Sequence, residues 1–332
     1  MNNRDRFRHA LRFERVDRLP RFEWATWWDQ TIARWQTEGL PANLRPGEHG
    51  VVQVMEFFGL DPAWQHWFPV LGKGYPSMPH GIGPVSDMAS YEAIRPYLFP
   101  EIDWEKAFPQ EVRERHEKGD LAVWFTVDGF FWFPRVLFGI ERHLYAFYDH
   151  PQVIHRINED LVARIKQIVV GVCRFIEPDF MTFGEDMSYN HGPMLSRALF
   201  DEFEAPYYRE VIPIILAHNI VPIVDSDGNI ESCVPWFTDC GVAGFLPFER
   251  QSGVDIARLR RNSPRLCMIG GFDKMTMTRG VDAMRQEFER ILPVMQQGGY
   301  IPSVDHQTPP GVSMAQYRDY LQLLWEYTER GA

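Results

Sequence analysis

From about residue 120 onward, short runs of β-branched and aromatic residues alternate with longer amphipathic stretches. Runs of the first kind predict buried strands, and stretches of the second kind predict helices. The predicted strands cover residues 121–131, 178–188, 220–229, 241–250, 266–274 and 298–310. The predicted helices cover residues 141–176, 196–219, 230–240, 254–263, 280–297 and 313–330. This alternation favours a parallel sheet and is the strongest constraint on the fold.

Residues 1–100 form an elaborated N-terminal part that contains the first strand. We predict a short helix at 4–13, a strand at 18–26 and a helix at 27–40. This gives seven strand units, and the length of 332 residues accommodates an eighth. The sequence therefore predicts an α/β protein, a single (β/α)8 TIM barrel spanning residues 1–332, with the main repeats in residues 101–332.

Composition narrows the classes of function. The formal net charge is −11, whereas a nucleic-acid binder needs a basic face. There is no run of about 18 apolar residues that would span a membrane, and the first twenty residues lack the apolar segment of a signal peptide. The four cysteines show no disulfide framework or CxxC pair. We expect a cytoplasmic protein with reduced thiols.

Acidic residues follow nearly every predicted strand. Because the chemistry of a TIM barrel sits at the carboxyl ends of its strands, these residues are candidates for the active site. Single acids at such positions often only cap helices or turns. Several converging carboxylates, however, repel each other and require a cation, a shared proton or a basic partner. The polar residues at the strand ends are Glu23, Asp128, Glu185, Asp186, Asp225, Asp227, Glu249, Arg250, Asp273, Asp305 and His306.

Several blocks of sequence together resemble one superfamily. They are RFRHALRFERVDRLP, EDMSYNHGPMLSRALFDEFEAPYYREVI, DSDGN, GVAGFLPFE, GGFDK and GGYIPSVDHQTPPGVS, and they extend from about residue 4 to residue 328. The combination is similar to the uroporphyrinogen decarboxylase superfamily, which also contains the corrinoid-dependent methyltransferases. The resemblance implies a TIM barrel, in agreement with the strand and helix pattern.

The chain differs from both branches of the superfamily at the residues that bind the substrate in one branch and the zinc ion in the other. Decarboxylases of this superfamily bind a substrate with eight carboxylates through an arginine-rich N-terminal motif, and the matching residues 21–30 are aromatic and acidic. The thiol methyltransferases carry a zinc-binding His-x-Cys where this chain has Asp225 and Asp227. The resemblance therefore implies a site for zinc or a harder divalent ion that carboxylates and imidazole hold. Its predicted ligands are Asp225, Asp227, Glu249 and His306.

The leading hypothesis is methyl transfer from a small methylated donor to a corrinoid carried by a partner protein. The donor is an O-methyl or aromatic compound in this hypothesis, and an acid or a metal activates its leaving group. The predicted catalytic residues are Glu185, Asp186, Asp227 and His306. The predicted substrate contacts are Trp24, Trp28, Asp128, Tyr189, His191 and Arg250.

Two other functions stay open. The first is a decarboxylase for a porphyrinogen or another carboxylated substrate, in which His306, Tyr189 and an acidic residue act without a cofactor. The second is a non-catalytic barrel that binds a small molecule or a corrinoid. Because relatives often pair, the resemblance also predicts a homodimer.

Overall fold

Seven parallel strands form one curled sheet in the computed structural model, which describes residues 1–45 and 50–332. Strands that are consecutive in the chain are neighbours in space, apart from a two-stranded antiparallel hairpin formed by β4 and β5. The strands are β1 (Ala63–Trp67), β2 (Ala122–Asp128), β3 (Phe180–Gly184), β4 (Ser188–Tyr189), β5 (Gly192–Pro193), β6 (Val221–Asp225), β7 (Gly244–Leu246), β8 (Cys267–Phe272) and β9 (Tyr300–Val304). The predicted parallel α/β architecture is confirmed.

Helices cover the outside of the sheet. They are α1 (Asn3–Leu11), α2 (Asp29–Thr37), α3 (Val51–Phe57), α4 (Met88–Ile94), α5 (Trp104–Ala107), α6 (Gln110–Glu117), α7 (Trp132–Phe138), α8 (Ile140–Asp149), α9 (Pro151–Phe175), α10 (Arg197–Phe203), α11 (Ala205–Ala217), α12 (Val234–Thr238), α13 (Ile256–Asn262), α14 (Val281–Met295) and α15 (Met314–Arg330). Three short 3₁₀ helices cover Arg95–Tyr97, Arg250–Ser252 and Lys274–Arg279.

Two predicted helices are each broken in two. The stretch 141–176 divides at His150 into α8 and α9, because Pro151 disfavours a helical conformation at the residue before it. The stretch 196–219 divides at Glu204 into α10 and α11, and Pro206 stands in the first turn of the second helix. Proline is well tolerated there because the first amides of a helix have no intrahelical partner.

The sheet resembles a TIM barrel but is not fully closed. The predicted strand at 18–26 forms no ladder with its neighbours. This segment lies between β9 and β1 and is attached by single bonds: Trp24 N donates to Ser303 Oγ at 3.3 Å, and Asp61 N donates to the Arg21 carbonyl at 2.8 Å. Pro20 has no amide proton to give to a ladder, which is one reason for the gap. Strand β1 was not predicted, because five residues reading AWQHW carry little β-branched character.

Strand register brings the carboxyl ends to one level. Asp128, Gly184, Asp225 and Leu246 are successive partners across β2, β3, β6 and β7. All seven residues of β2 are buried, as expected for a parallel strand covered on both faces. The loops after these strands therefore open at one rim, where the candidate site lies.

A cluster of aromatic rings holds the N-terminal part on the last helix. Trp35 packs on Tyr317 with ring centroids 4.7 Å apart, and Trp27 and Phe58 contact the same tyrosine. The four cysteines are free thiols. Among the described helices, none has the length and apolar character needed to cross a membrane.

Candidate active site

A cavity of about 380 Å³ opens at the carboxyl ends of the strands. We call it the mouth cavity. Its lining residues are Trp24, Ala25, Thr26, Gln65, Trp67, Trp124, Trp132, Gly184, Asp186, Asp225, Asp227, His306 and Gln307. The lining thus combines four tryptophans, three aspartates and one histidine, and none of its described residues is a lysine or an arginine. Its size is within the usual range for small-molecule sites.

The three aspartates come from two neighbouring strand ends. Asp225 ends β6, and Asp227 lies in the turn that follows. Gly228 lets this turn pack on the β4–β5 hairpin: its φ is +79°, and a Cβ there would lie 2.7 Å from Tyr189 Cα. Asp186 follows β3 with a φ of +38°, a left-handed conformation that is costly for a side chain. Its Oδ1 accepts from Asp227 N at 3.2 Å, which fixes the two acidic loops against each other.

Burial and mutual repulsion alter the ionisation of this group. Burial, and then the Asp227 carboxylate, raise the pKa of Asp186 to about 6. Burial and the charges of Asp186 and Asp227 raise the pKa of Asp225 well above its ordinary value. His306 Nε2 lies 3.5 Å from Asp227 Oδ2, and this contact raises the pKa of His306 against the opposing effect of burial. The lining is therefore short of positive charge.

Three of the four predicted metal ligands come together. One ligand atom from each of Asp227, Glu249 and His306 lies within 4.8 Å of the other two. Glu249 is oriented by Gly228 N and Ser252 Oγ, which donate to its Oε2 at 2.9 and 3.2 Å. Two carboxylates and one imidazole fit zinc or a harder divalent cation. Asp225 is not part of this group.

Tryptophans form much of the wall. Trp24 was predicted as a substrate contact and lies there, with its ring centroid 6.0 Å from that of His306. Trp67, Trp124 and Trp132 were missed. Trp67 ends β1, which the sequence pattern did not reveal. Trp132 lies just after a strand that was predicted, so its position past a strand end was a signal that could have been used, whereas Trp124 lies within that strand near its amino end and carried no such signal.

The other five predicted substrate contacts, the buried Asp128 among them, do not line the mouth cavity. Trp28 is 42% exposed at the start of α2. Tyr189 and His191 contact each other on the β4–β5 hairpin, with ring centroids 5.7 Å apart. The guanidinium of Arg250 instead donates to the Val254 carbonyl.

Glu185 also lies outside the cavity, although it was predicted to be catalytic. Its carboxylate is fully buried and accepts from three consecutive amides, those of Phe130, Phe131 and Trp132, at 2.9–3.1 Å. The Tyr208 hydroxyl donates to it as well. Such a carboxylate holds the loop after β2 and thereby the Trp132 wall, so its position assigns it a structural role.

Three more acids at strand ends are used inside the protein. Asp128, predicted as a substrate contact, accepts from Trp67 Nε1 at 2.8 Å. Asp305 accepts from Arg250 N at 3.0 Å and from Lys274 Nζ at 3.2 Å. Glu23 accepts from Ser303 Oγ at 2.7 Å. These contacts explain why acidic residues at similar strand positions differ: some line the cavity, whereas these three accept hydrogen bonds inside the protein.

A second cavity of about 380 Å³ adjoins the first. It lies between the N-terminal segment, α3 and β1. The two cavities share Trp24, Thr26, Gln65, Trp67 and Trp124. A ligand longer than the mouth cavity therefore has an apolar extension available to it.

The fold and site define a TIM-barrel-like protein with a polar cavity at the strand ends. The sequence model of the uroporphyrinogen decarboxylase (URO-D) family matches residues 137–327. Because this is more than half of the chain, the protein belongs to that family. None of the curated protein sequences matches the chain.

Solved structures support the same fold. A methyltransferase from Methanosarcina mazei is 14% identical, with a TM-score of 0.68, and the alignment covers 98% of this chain and 99% of that one. A candidate vitamin-B12-independent methionine synthase from Listeria monocytogenes is 12% identical, with a TM-score of 0.53 and coverage of 95% and 98%. At these identities the likeness concerns the fold alone.

Proposed function

We propose that this protein is a methyltransferase that moves a methyl group from a small methylated donor to a reduced corrinoid carried by a partner protein. The observation that carries the proposal is the mouth cavity, where an acidic group and a His306–Asp227 pair meet four tryptophans at the strand ends. The likeness in fold to a methyltransferase is consistent with it. The proposal includes a protein partner, because the cavity has to receive an acceptor larger than the donor.

The tryptophans, His306 and Asp186 have separate tasks in this reaction. The tryptophans bind and orient the donor and exclude water from its methyl group. His306, whose pKa is raised by Asp227, holds a proton that it can give to a leaving oxygen or nitrogen. Asp186 accepts from the Asp227 amide and so positions the partner of that histidine.

A divalent cation is an alternative activator at the same place. Asp227, Glu249 and His306 would hold it, and it would polarise the leaving atom as a Lewis acid. Thiolate-bound zinc, which the superfamily's thiol methyltransferases use, does not fit these ligands. Carboxylate ligands therefore favour a donor whose leaving group is not a thiolate.

The test follows methyl transfer to reduced cobalamin by its absorbance, with methyl ethers and methylated amines as donors. We expect transfer from at least one donor and, for ether donors, whose leaving oxygen needs a proton or a Lewis acid, a loss of roughly a hundredfold or more in His306→Ala and Asp227→Asn. Asp201→Asn, an exposed acid on α10, serves as the matched control. Metal content measured on the same proteins separates a bound cation from a proton donor.

Two results would overturn the proposal. One is the absence of transfer from every donor class. The other is full activity with an ether donor in both cavity variants, since activation of its leaving group would then not depend on this site. Release of carbon dioxide from a porphyrinogen would instead support the decarboxylase function.

A further inference from the structure

We propose that the methyl donor is an organic cation, a methylated ammonium or sulfonium group, which binds among the tryptophans of the mouth cavity with Asp225 as its counter-charge. This inference rests on the proposed function and names its class of substrate. It is carried by the hydrogen-bond donors and acceptors of the cavity wall.

Two of the four indoles and both glutamine side chains of the wall donate hydrogen bonds within the protein. Trp24 Nε1 donates to the Val304 carbonyl at 2.8 Å, and Trp67 Nε1 donates to Asp128. The side-chain amides of Gln65 and Gln307 donate to the hydroxyls of Thr126 and Thr26 at 2.9 and 3.3 Å. The two indoles therefore offer π surface to a ligand, and the two amides offer their carbonyl oxygens.

The acceptors, by contrast, are not all satisfied. No described residue donates a hydrogen bond to the Asp225 carboxylate, although it lines the cavity and two other aspartates lie near it. His306 pairs with Asp227 and not with Asp225. A carboxylate that lines a cavity without a hydrogen-bond donor has no group beside it to offset its charge. A positively charged ligand supplies such a group, whereas a neutral ether does not.

The aromatic walls suit a cation that has few N–H groups of its own. Quaternary ammonium groups are recognised by aromatic rings together with a nearby negative charge. The Trp124 ring is fixed by stacking on Phe180, with ring centroids 4.9 Å apart, and Trp132 already carries the Arg135 guanidinium 5.0 Å from its centroid. The rings are therefore preorganised, which reduces the entropic cost of binding.

The reaction is balanced without further help from the protein. The C–N bond of a quaternary ammonium donor breaks, the nitrogen keeps the electron pair, and the methyl group passes to the nucleophilic reduced corrinoid. The amine leaves neutral, so the leaving group requires neither a proton nor a Lewis acid. The same holds for a sulfonium donor, which leaves as a neutral thioether.

The experiment compares choline with its neutral isostere 3,3-dimethylbutan-1-ol by isothermal titration calorimetry. Titrations run in chelator, so that a metal at Asp227, Glu249 and His306 does not compete. We expect choline to bind tighter by roughly tenfold or more. We expect Asp225→Asn and Trp67→Leu each to reduce choline affinity by about the same factor, while Asp201→Asn leaves it unchanged. Circular dichroism checks the fold of every variant.

Equal affinity for the two probes, or choline binding that neither variant weakens, would overturn the inference. The outcomes also distinguish a failure of this inference from a failure of the proposed function. Methyl transfer from ethers without any preference for cations refutes the inference and leaves methyl transfer intact. Selective choline binding without methyl transfer from any donor class supports the cation site and refutes the proposed reaction.

Discussion

His143 offers a sharp test of the electrostatics of this protein. Its ring is completely buried in α8, and neither ring nitrogen has a hydrogen-bond partner among the described residues. It packs between Phe131 and Phe147, with ring centroids 4.6 and 4.9 Å away. Burial, reinforced by the charge of Arg135, lowers its pKa from 6.5 to about 3. We predict that His143→Phe makes the protein more resistant to acid.

The size of the effect follows from proton linkage. Between pH 6.5 and 3 the unfolded chain binds a proton at this histidine that the folded chain does not, so the folded state loses stability as the pH falls. At pH 5 the loss is about 2 kcal/mol, because 1.5 pH units at about 1.4 kcal/mol each separate that pH from the unfolded pKa. Above pH 7 the histidine is neutral in both states and the loss disappears.

Urea unfolding of the parent and of His143→Phe at pH 7 and pH 5 measures this difference. The free energy of unfolding of the variant, relative to the parent, should rise by about 2 kcal/mol between the two pH values. His218→Phe, at a histidine that is exposed in the folded chain, serves as the control for a histidine-to-phenylalanine change at the surface. If the free energy of unfolding of His143→Phe relative to the parent is the same at both pH values, the reasoning is refuted, because the buried ring would then be protonated as easily as an exposed one.

Two further predictions concern the rim of the sheet. Gly184→Ala places a Cβ 2.7 Å from the Trp67 ring, so the indole must move away from Asp128. Titration calorimetry should then show weaker choline binding than in the parent, with little change in thermal stability. Burial raises the pKa of Glu23 to about 7, so the folded state loses stability as the pH rises from about 4.5 to 7. Glu23→Gln should remove this loss, and its unfolding free energy relative to the parent should be higher by up to about 3 kcal/mol at pH 8 than at pH 4.

The sequence pattern predicted most strands of the sheet but not that the sheet stays partly open. Strands such as β2 and β8 are continuous apolar runs, which is typical of parallel strands buried on both faces. Strand β1 has a mixed composition, and its pairing with β2 depends on contacts that no local pattern reveals. The segment at 18–26 has the reverse property: it reads as a strand, yet it is attached to β9 mainly through side chains.

The candidate site was predictable only in part for a similar reason. Acids at strand ends were correctly expected at one rim, and Asp186, Asp225 and Asp227 line the cavity there. Whether an acid faces the cavity or the interior depends on the path of the next loop. Glu185 and Asp186 are adjacent in sequence, yet the first binds three buried amides and the second faces the cavity.

The charge of the cavity bears on the choice between the two enzymatic hypotheses. A substrate carboxylate about 5 Å from one of the three aspartates, if that aspartate is ionised, would meet a repulsion of about 3 kcal/mol at an effective dielectric constant of 20. The cations around the cavity are already engaged: His306 pairs with Asp227, Lys274 binds Asp305, and the Arg135 guanidinium lies over Trp132. Removing the repulsion by protonating the aspartates would leave their carboxyl groups without the charge that binds a cation. With its aspartates ionised, the lining therefore disfavours a polycarboxylate substrate and favours a positively charged one, so the sign of the ligand's charge distinguishes the decarboxylase hypothesis from methyl transfer with a cationic donor.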